Sequence, residues 1–435
     1  MVIENKHQYD ELIRSIDGKE VAISLVRDDF RLHPAESTAI AASICYGSET
    51  YDIVFNHSET FEKLDPSMLA CAKRFWTDDA KQLYHLVKLN NIYDVNLLAW
   101  CNNKQFEDVE VDGVFDSVYN RNKNIRNVNY AISLVKILEL SRKKLLRIGK
   151  IFDACTISKS FLKYNTANKS LAKLESNKIK IIPNSFGSVY KNGYAYSNYN
   201  ILTSTGRPSN TFSGVNLAAL NKADGSRKNI VSRFERGMLV EFDYDAYHLR
   251  LLASILDYNF PLDMSVHQYL ADTVYNCSYE ESKTKSFQIL YGNAPFSLGN
   301  GNVFFNGVSD LARVIEDYFN ANKYFKSHIY KKPFNMEESH DVTKYKILNY
   351  YIQSFETERN LEVISKVNKI LSSAETKMIL YTYDSFLFDF NISEGKRVLN
   401  DIKSTLEDGN FPVKIKAGVN YHNMKDITEK LNGHK

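Results

Sequence analysis

Met238 to Ala253 reads MLVEFDYDAYHLRLLA, and the fold of this 435-residue chain turns on it. Leu239-Val240-Glu241-Phe242 is an apolar strand. An acidic tip follows, Asp243-Tyr244-Asp245, and then Leu249, Leu252 and Ile255 recur at helical spacing. A buried strand that ends on a carboxylate brings a charge to the mouth of a core, which is costly unless the charge binds something. A metal ion is the usual answer, so Asp243 is the first candidate ligand, here for Mg²⁺.

A second acidic strand end lies far downstream. Met378 to Phe390 (MILYTYDSFLFDF) reads as a hairpin of two apolar strands with Asp384 at its turn. If the two strands are neighbours, Asp243 and Asp384 meet at one edge of a sheet. Two metal ions about 3.5–4 Å apart could be held there, one activating an attacking oxygen and the other steadying a leaving group. Each Asp could equally cap a turn.

Lys283, Phe287 and Tyr291 are spaced i, i+4, i+8 and fall within about 80° on one helical face. A cation followed by two aromatics suits a nucleotide, with ammonium to triphosphate and rings to base and sugar. His267 precedes them by about four turns of the same helical run and could add a phosphate contact. A lysine beside ordinary core aromatics gives the same pattern.

Composition bounds the rest. The length suggests two or three domains, and 44% hydrophobic with 25% charged residues is ordinary for a globular protein. Cys45, Cys71, Cys101, Cys155 and Cys277 are scattered, which indicates neither a disulfide framework nor a zinc site. The opening MVIENKHQYDELI lacks a signal-peptide pattern and no apolar run is long enough to span a bilayer, so an intracellular setting is expected. The net charge is only +3, but Arg142 to Lys180 holds eleven Lys/Arg against Asp153 and Glu175. Lys143, Lys144, Arg147, Lys159 and Lys163 there form a basic stripe suited to a phosphate backbone, or a solvated helix pair.

Along the chain, Val21 to Val26, Ala39 to Tyr46 and Tyr51 to Phe55 are expected strands, with Gly47-Ser48 as a turn. Helices are expected at Ala80 to Val87, Val95 to Trp100 and Tyr130 to Leu146, and two in the basic segment. A loop runs from Asn184 to Asn200, a helical region from His267 to Tyr291, and a loop from Gly292 to Gly307. Helices follow from Ser309, as N-cap, to about Lys326, and from Thr343 to Ser373; Phe411 to Ala417 is a last strand.

In order and spacing these elements resemble the polymerase half of family A DNA polymerases, the bacterial DNA polymerase I type, over roughly residues 185 to 425. Thr205-Gly206-Arg207-Pro208-Ser209 resembles the family's TGRxS loop. Asp243 to Arg250 resembles motif A, usually DYSQIELR, and Lys283 to Gly292 resembles motif B, Kx₃Fx₃YG. Asn349-Tyr350-Tyr351-Ile352-Gln353 resembles the NxxxQ element facing the template. Tyr383-Asp384-Ser385 stands where motif C has HDE, and Lys414 to Tyr421 is similar to the closing strand and turn.

The resemblance implies a right-hand polymerase at 201–435, with an antiparallel palm sheet and helical fingers at about 255–335. Before it would come a reduced helical thumb in the basic segment 141–200, and an RNase H-like exonuclease-type domain at 1–140, so the fold class is α/β and α+β, multidomain. Asp243 and Asp384 would hold two Mg²⁺ with the Tyr244 backbone carbonyl. Lys283 and His267 would touch the incoming dNTP triphosphate, with Phe287, Tyr291 and His248 around the nucleotide. Arg207, Asn349 and Gln353 would contact primer–template DNA.

Three departures qualify the match. Tyr279 replaces the Arg that opens motif B, His248 replaces the motif A Glu that crowds the sugar 2′ position, and Ser385 replaces the motif C Glu. The N-terminal part resembles the 3′–5′ exonuclease with its ligands gone. Ser24 and Val26 stand at its Asp-x-Glu, Leu83 in its Asn-Leu-Lys-Phe-Asp element and Leu134 in its YxxxD motif, which begins here at Tyr130; Asp94 to Leu98 resembles its DTMLLA element. The expected function is template-directed DNA synthesis without proofreading, with a processivity or replisome partner offsetting the short thumb. A primer-synthesising RNA polymerase, suggested by His248, and a decayed DNA-binding scaffold are the alternatives.

Overall fold

Apolar residues on consecutive short runs, separated by glycine turns and polar caps, build a mixed sheet at the N-terminus. The computed structural model describes residues 1–29, 32–60, 62–89, 91–109, 132–186, 192–292, 295–299, 301–336 and 342–432. The chain divides into two units, Met1–Ala172 and Lys173–Lys435.

In the first unit, strand β1 (Val2–Ile3) leads to helix α1 (Lys6–Ile16), capped by the Asn5 side chain. Strands β2 (Glu20–Arg27), β3 (Ala39–Tyr46) and β4 (Glu49–Val54) form an antiparallel meander. Gly47 takes a left-handed φ of 61° in the two-residue turn between β3 and β4, as such a turn demands. Strands β5 (Arg74–Thr77) and β6 (Ile92–Asp94) add in parallel, giving the order β1-β4-β3-β2-β5-β6. Helices α2 (Ala80–Leu86) and α3 (Val95–Cys101) start on the capping side chains of Asp79 and Asp94. One core cluster holds Ile23, Ile44, Ile53, Phe75, Leu83 and Ile92, and a second holds Val26, Ala41 and Val54.

Ile137, Leu138 and Leu140 complete that second cluster. They belong to α4 (Leu134–Ala154), which is followed by α5 (Lys159–Ser176). The expected break at 140 therefore falls inside a helix that packs on the first unit's sheet, and the boundary between units falls within α5. The cations of α4 are largely spent inside the unit. Arg142 pairs with Asp52, Lys143 with Glu139 at 3.1 Å, Lys144 with Asp78 at 3.1 Å, and Arg147 with Asp108 at 2.8 Å. Lys159 and Lys163 are exposed on α5.

Lys144 and Asp78 are both nearly buried, so removing one partner strands the other's charge. Lys144→Ala is expected to lower unfolding free energy by about 3 kcal/mol in urea titrations. A change within error would remove this pair as a pin of α4.

The second unit opens with two ribbons, β7 (Ile179–Lys180) with β8 (Tyr194–Ala195) and β9 (Tyr199–Asn200) with β10 (Ser209–Asn210). Strand β11 (Gly237–Tyr244) then runs into α6 (Tyr247–Ile255). The expected single helical region from His267 to Tyr291 is two helices. Val266–Leu270 (α7) passes into a π-helical turn, Ala271–Tyr275, which ends on left-handed Asn276. Ser278 and Glu281 close a reciprocal capping box that starts α8 (Tyr279–Leu290).

Helix α9 (Val303–Asn322) begins on the Asn302 cap, seven residues before the expected Ser309. Gly307 lies inside it against Leu256, where a Cβ would come within 3.1 Å of a Leu256 methyl. After the ribbon β12 (Tyr324–Lys326) and β13 (Pro333–Asn335), α10 (Lys344–Ile370) starts on the Thr343 cap. Strands β14 (Lys377–Tyr381) and β15 (Ser385–Asn391) form the expected hairpin. Helix α11 (Gly395–Glu407), strands β16 (Val413–Gly418) and β17 (Met424–Asp426) and helix α12 (Thr428–Asn432) end the unit.

Its five-stranded sheet is antiparallel throughout, in the order β14-β15-β11-β16-β17. The stretch read first in the sequence is thus the central strand. Leu239, Val240 and Phe242 are fully buried, with the Phe242 and Phe388 rings edge to face at 5.4 Å. Among the described residues no helix is long and apolar enough to cross a membrane. Tyr130, parts of the expected loops Asn184 to Asn200 and Gly292 to Gly307, and the start of the expected Tyr130 helix lie outside the described residues.

Candidate active site

The register of the sheet brings the two acidic strand ends together. Asp243 pairs with Ser385 across the β11–β15 ladder, so Asp384 is one residue from its direct neighbour. The Tyr244 N–H donates to the Asp384 carbonyl at 2.9 Å, tying the two tips by a backbone bond. Tyr383 takes a left-handed φ of 73° in the turn, and its carbonyl accepts from the Asn360 amide at 2.6 Å. Asn360 also accepts from the Tyr247 hydroxyl and donates to that of Tyr381. Arg359 donates to the Tyr244 and Tyr247 hydroxyls at 2.8 and 3.0 Å. A buried polar network therefore fixes both tips from behind, where each group is satisfied and rotamers are locked.

The three acids of the two tips have different partners. Asp245 is buried and accepts from Ser265 Oγ (2.8 Å), the Val266 N–H (3.0 Å) and Arg250 (3.2 Å). Burial alone would raise its carboxyl, but the Val266 and Ser265 bonds, Arg250 and Lys414 hold it below the usual range. It anchors the start of α7. Asp243 is 29% exposed, and among the described residues its carboxylate meets Lys416 Nζ at 3.3 Å. Asp384 sits exposed at the turn, yet its carboxyl is pushed up to about 6 by burial among its surroundings, by Asp243 and by Glu356. Two carboxylates on adjoining strand ends, with the Tyr244 carbonyl at the same strand end, are hard oxygen donors, and this set fits Mg²⁺.

Helix α8 presents an unusual face beside them. Lys283 is exposed, and Phe287 and Tyr291 are 38% and 37% exposed, with rings stacked at 5.8 Å and an interplanar angle of 14°. They are therefore not core residues. A stacked, exposed aromatic pair is a platform for another planar group. Gly292, at φ +84°, closes this helix against Tyr345, whose Cβ would lie 2.8 Å from an added Cβ. His267 differs from expectation in its surroundings. It is buried, with its ring edge to face with Tyr279 and tilted against Phe287, and burial pushes its pKa down to about 4. Its Nδ1 is enclosed and has no hydrogen-bond partner among the described residues.

Between the acidic tips and the aromatic pair lies a residue not singled out in the sequence. Glu356 of α10 is buried, with Oε1 3.4 Å from His248 Nε2 and Oε2 3.2 Å from Arg207 Nε, the latter an ion pair without hydrogen-bond alignment. Burial would raise its carboxyl, but His248 and Arg207 hold it below the ordinary range. His248 Nδ1 lies 2.9 Å from the Tyr291 hydroxyl, and the Arg207 guanidinium lies 4.0 Å over the Tyr383 ring. Gln353 donates to Asn349 (3.0 Å) and accepts from Thr205 (3.3 Å). Asn349, Gln353 and Glu356 are spaced i, i+4, i+7, a polar stripe on one helical face, which is the signal that could have found Glu356.

No protein-family model matches the chain, and no curated protein sequence matches it. The fold does have a solved counterpart. The POL domain of Pol1 from M. smegmatis, in complex with DNA primer-template and dNTP, superposes with a TM-score of 0.72, covering 97% of this chain and 99% of that one at 13% sequence identity. That likeness is one of fold: the chain has the architecture of a DNA polymerase domain.

Proposed function

We propose that the protein is a template-directed DNA polymerase of the family A type, adding dNTPs to a primer 3′-hydroxyl. The observation that carries this reading is the pairing of Asp243 with the Asp384 turn on adjacent antiparallel strands, with the Phe287–Tyr291 platform in the same unit. The fold likeness to a polymerase domain supports it independently.

In this reading Asp243, Asp384 and the Tyr244 carbonyl hold two Mg²⁺. Bound there, the ions would activate the primer hydroxyl and steady the leaving pyrophosphate. Lys283 meets the triphosphate as a point charge, with the His267 ring beside it as a second contact. Phe287 and Tyr291 present their faces to base and sugar, and the Tyr291 hydroxyl keeps His248 oriented beside the sugar. Arg207, Asn349 and Gln353, linked through Thr205 and Glu356, face the primer–template. Residues 201–435 would be palm and fingers, with the fingers at about 255–335.

The first unit reads as an exonuclease-type fold without its chemistry. Ser24 is buried and donates to the Ser141 carbonyl at 2.8 Å; Val26, Leu83 and Leu134 are buried among apolar neighbours. Asp94 is occupied capping α3 and accepting from the Ala80 N–H, and burial pushes it up to about 7. No 3′–5′ degradation of single-stranded DNA is therefore expected; Mg²⁺-dependent degradation by the purified protein would refute it. Lys144 and Arg147 serve internal pairs, and exposed Lys159 is the better candidate for a phosphate contact. A processivity partner would offset the short thumb.

Extension of an annealed primer by the purified protein, with Mg²⁺ and either dNTPs or rNTPs, tests the whole reading. Extension with dNTPs supports it, and extension confined to rNTPs turns it into an RNA-synthesising enzyme. No product with either nucleotide in Mg²⁺ or Mn²⁺ overturns it.

A further inference from the structure

Strand β16 carries two lysines beside the acids of β11, and the two have different duties. Lys414 faces Asp243 in register, but its Nζ lies 3.6 Å from Asp245 Oδ1. Lys416 faces Glu241 in register, and its Nζ bridges two carboxylates, 3.6 Å from Glu241 Oε2 and 3.3 Å from Asp243 Oδ2. Glu241 is buried and also accepts from the Tyr421 hydroxyl at 3.1 Å. Ser385 Oγ stands 3.5 Å from the same Glu241 oxygen. Glu241 is thus a fixed anion on the sheet, while Asp243 is the more exposed of the two. Lys416 is 30% exposed and carries a long flexible stem, so its ammonium can lean either way.

Charge decides what this arrangement does. Asp243 and Asp384 repel one another without a cation, Glu241 adds an anion that shares Lys416 with Asp243, and the two tips are tied by a backbone bond. An arriving divalent ion competes with Lys416 for the Asp243 carboxylate. We propose that Lys416 is a resident counter-cation of the metal site, a positioning residue that neutralises Asp243 when no metal is bound and withdraws onto Glu241 when one arrives. Glu241 is its alternative partner and not a metal ligand. The inference rests on the metal-site reading of Asp243 and Asp384. It deepens that reading by giving the site a built-in competitor that sets how much divalent ion is needed.

The test is Mn²⁺ binding to the protein without DNA or nucleotide, followed by loss of the free-ion electron paramagnetic resonance signal. Asp243→Asn should abolish the binding. Lys416→Gln should tighten it about three- to tenfold, as removal of a half-exposed competing ion pair would. Lys416→Arg, which keeps the charge, should stay near wild type. Glu241→Gln should weaken binding several-fold in the wild-type background, because Lys416 then has only Asp243 to sit on. In the Lys416→Gln background the same change should do nothing. Unchanged or weaker binding by Lys416→Gln overturns the proposal while leaving the metal site standing. An equal loss from Glu241→Gln in both backgrounds also overturns it, by making Glu241 a ligand. Mn²⁺ binding indifferent to Asp243→Asn removes the metal-site reading and the proposal with it.

Discussion

Asp243→Asn is expected to cut primer extension by a factor on the order of 10³ or more, equivalent to about 4 kcal/mol of transition-state stabilisation, with the fold intact. The amide keeps the shape of the side chain and the β11 ladder is made by backbone atoms, so the sheet has no reason to change. Only the charge that would hold the ions is lost. Asp384→Asn should be equally inactive but opposite in its effect on stability. Its carboxyl titrates at about 6 when folded, above the ordinary 3.8. The folded state therefore keeps a proton that the unfolded state has released, and stability from this group falls as pH rises from about 4 to 6 and stays lost at neutral pH. The full shift would correspond to about 3 kcal/mol, but the residue is exposed at the turn and solvent screening brings this to about 1 kcal/mol. At pH 7.5 without divalent ions, Asp384→Asn should be the more stable protein in urea denaturation, and the difference should vanish near pH 4. Mg²⁺ should raise the wild-type midpoint and leave the Asn variant unmoved. A variant less stable than wild type at pH 7.5 would show that Asp384 is a structural cap and not a strained ligand.

The elements that were legible in the sequence are those whose pattern is local. The apolar run from Leu239 and the Met378 to Phe390 run could only be strands covered on both faces, and the sheet places them side by side. Helix α10 was readable from its length and its Thr343 cap. The break between α7 and α8 was also readable, from Ser278 and Glu281 at capping-box spacing, but the apolar periodicity on either side overrode it. The start of α9 was hidden by Gly307, which looks like a loop residue and is a packing residue against Leu256. The partners of the basic segment were not legible for a different reason. Asp52, Asp78 and Asp108, which occupy its cations, lie 39 to 90 residues away, and only the strand order brings Asp52 to Arg142. Charge density along a chain says nothing about such pairs. The same holds at the site: Asp243 and Asp384 could be named because each ends a strand, whereas Lys416 matters only through its register with Glu241.

Glu356→Ala is the substitution expected to have the next largest effect, and it should act on stability and synthesis together. The carboxylate is fully enclosed and is the common partner of Arg207 and His248. Its removal leaves, among the described residues, the Tyr383 ring to hold Arg207 and the Tyr291 hydroxyl to hold His248. Breaking a buried ion pair typically costs 3–5 kcal/mol; Arg207 can reach water here, so a loss of about 2–3 kcal/mol is expected in denaturant titrations. Synthesis should suffer because two arms of the site are set by one group. His248 orients the nucleotide side and Arg207 the primer–template side, and small displacements at either cost rate steeply. A fall in kcat/KM for dNTP on the order of 10- to 100-fold corresponds to about 1.4–2.8 kcal/mol. Glu356→Gln separates the two roles. The neutral amide removes the cost of burying a charge and can still accept from His248, so stability should stay within about 1 kcal/mol of wild type. It cannot hold a guanidinium and an imidazole at once, so KM for dNTP should still rise and the ratio of dNTP to rNTP use should change. If Glu356→Gln matches wild type in both KM and sugar preference, Glu356 merely fills the core, and His248 and Arg207 must be positioned by Tyr291 and Tyr383 alone.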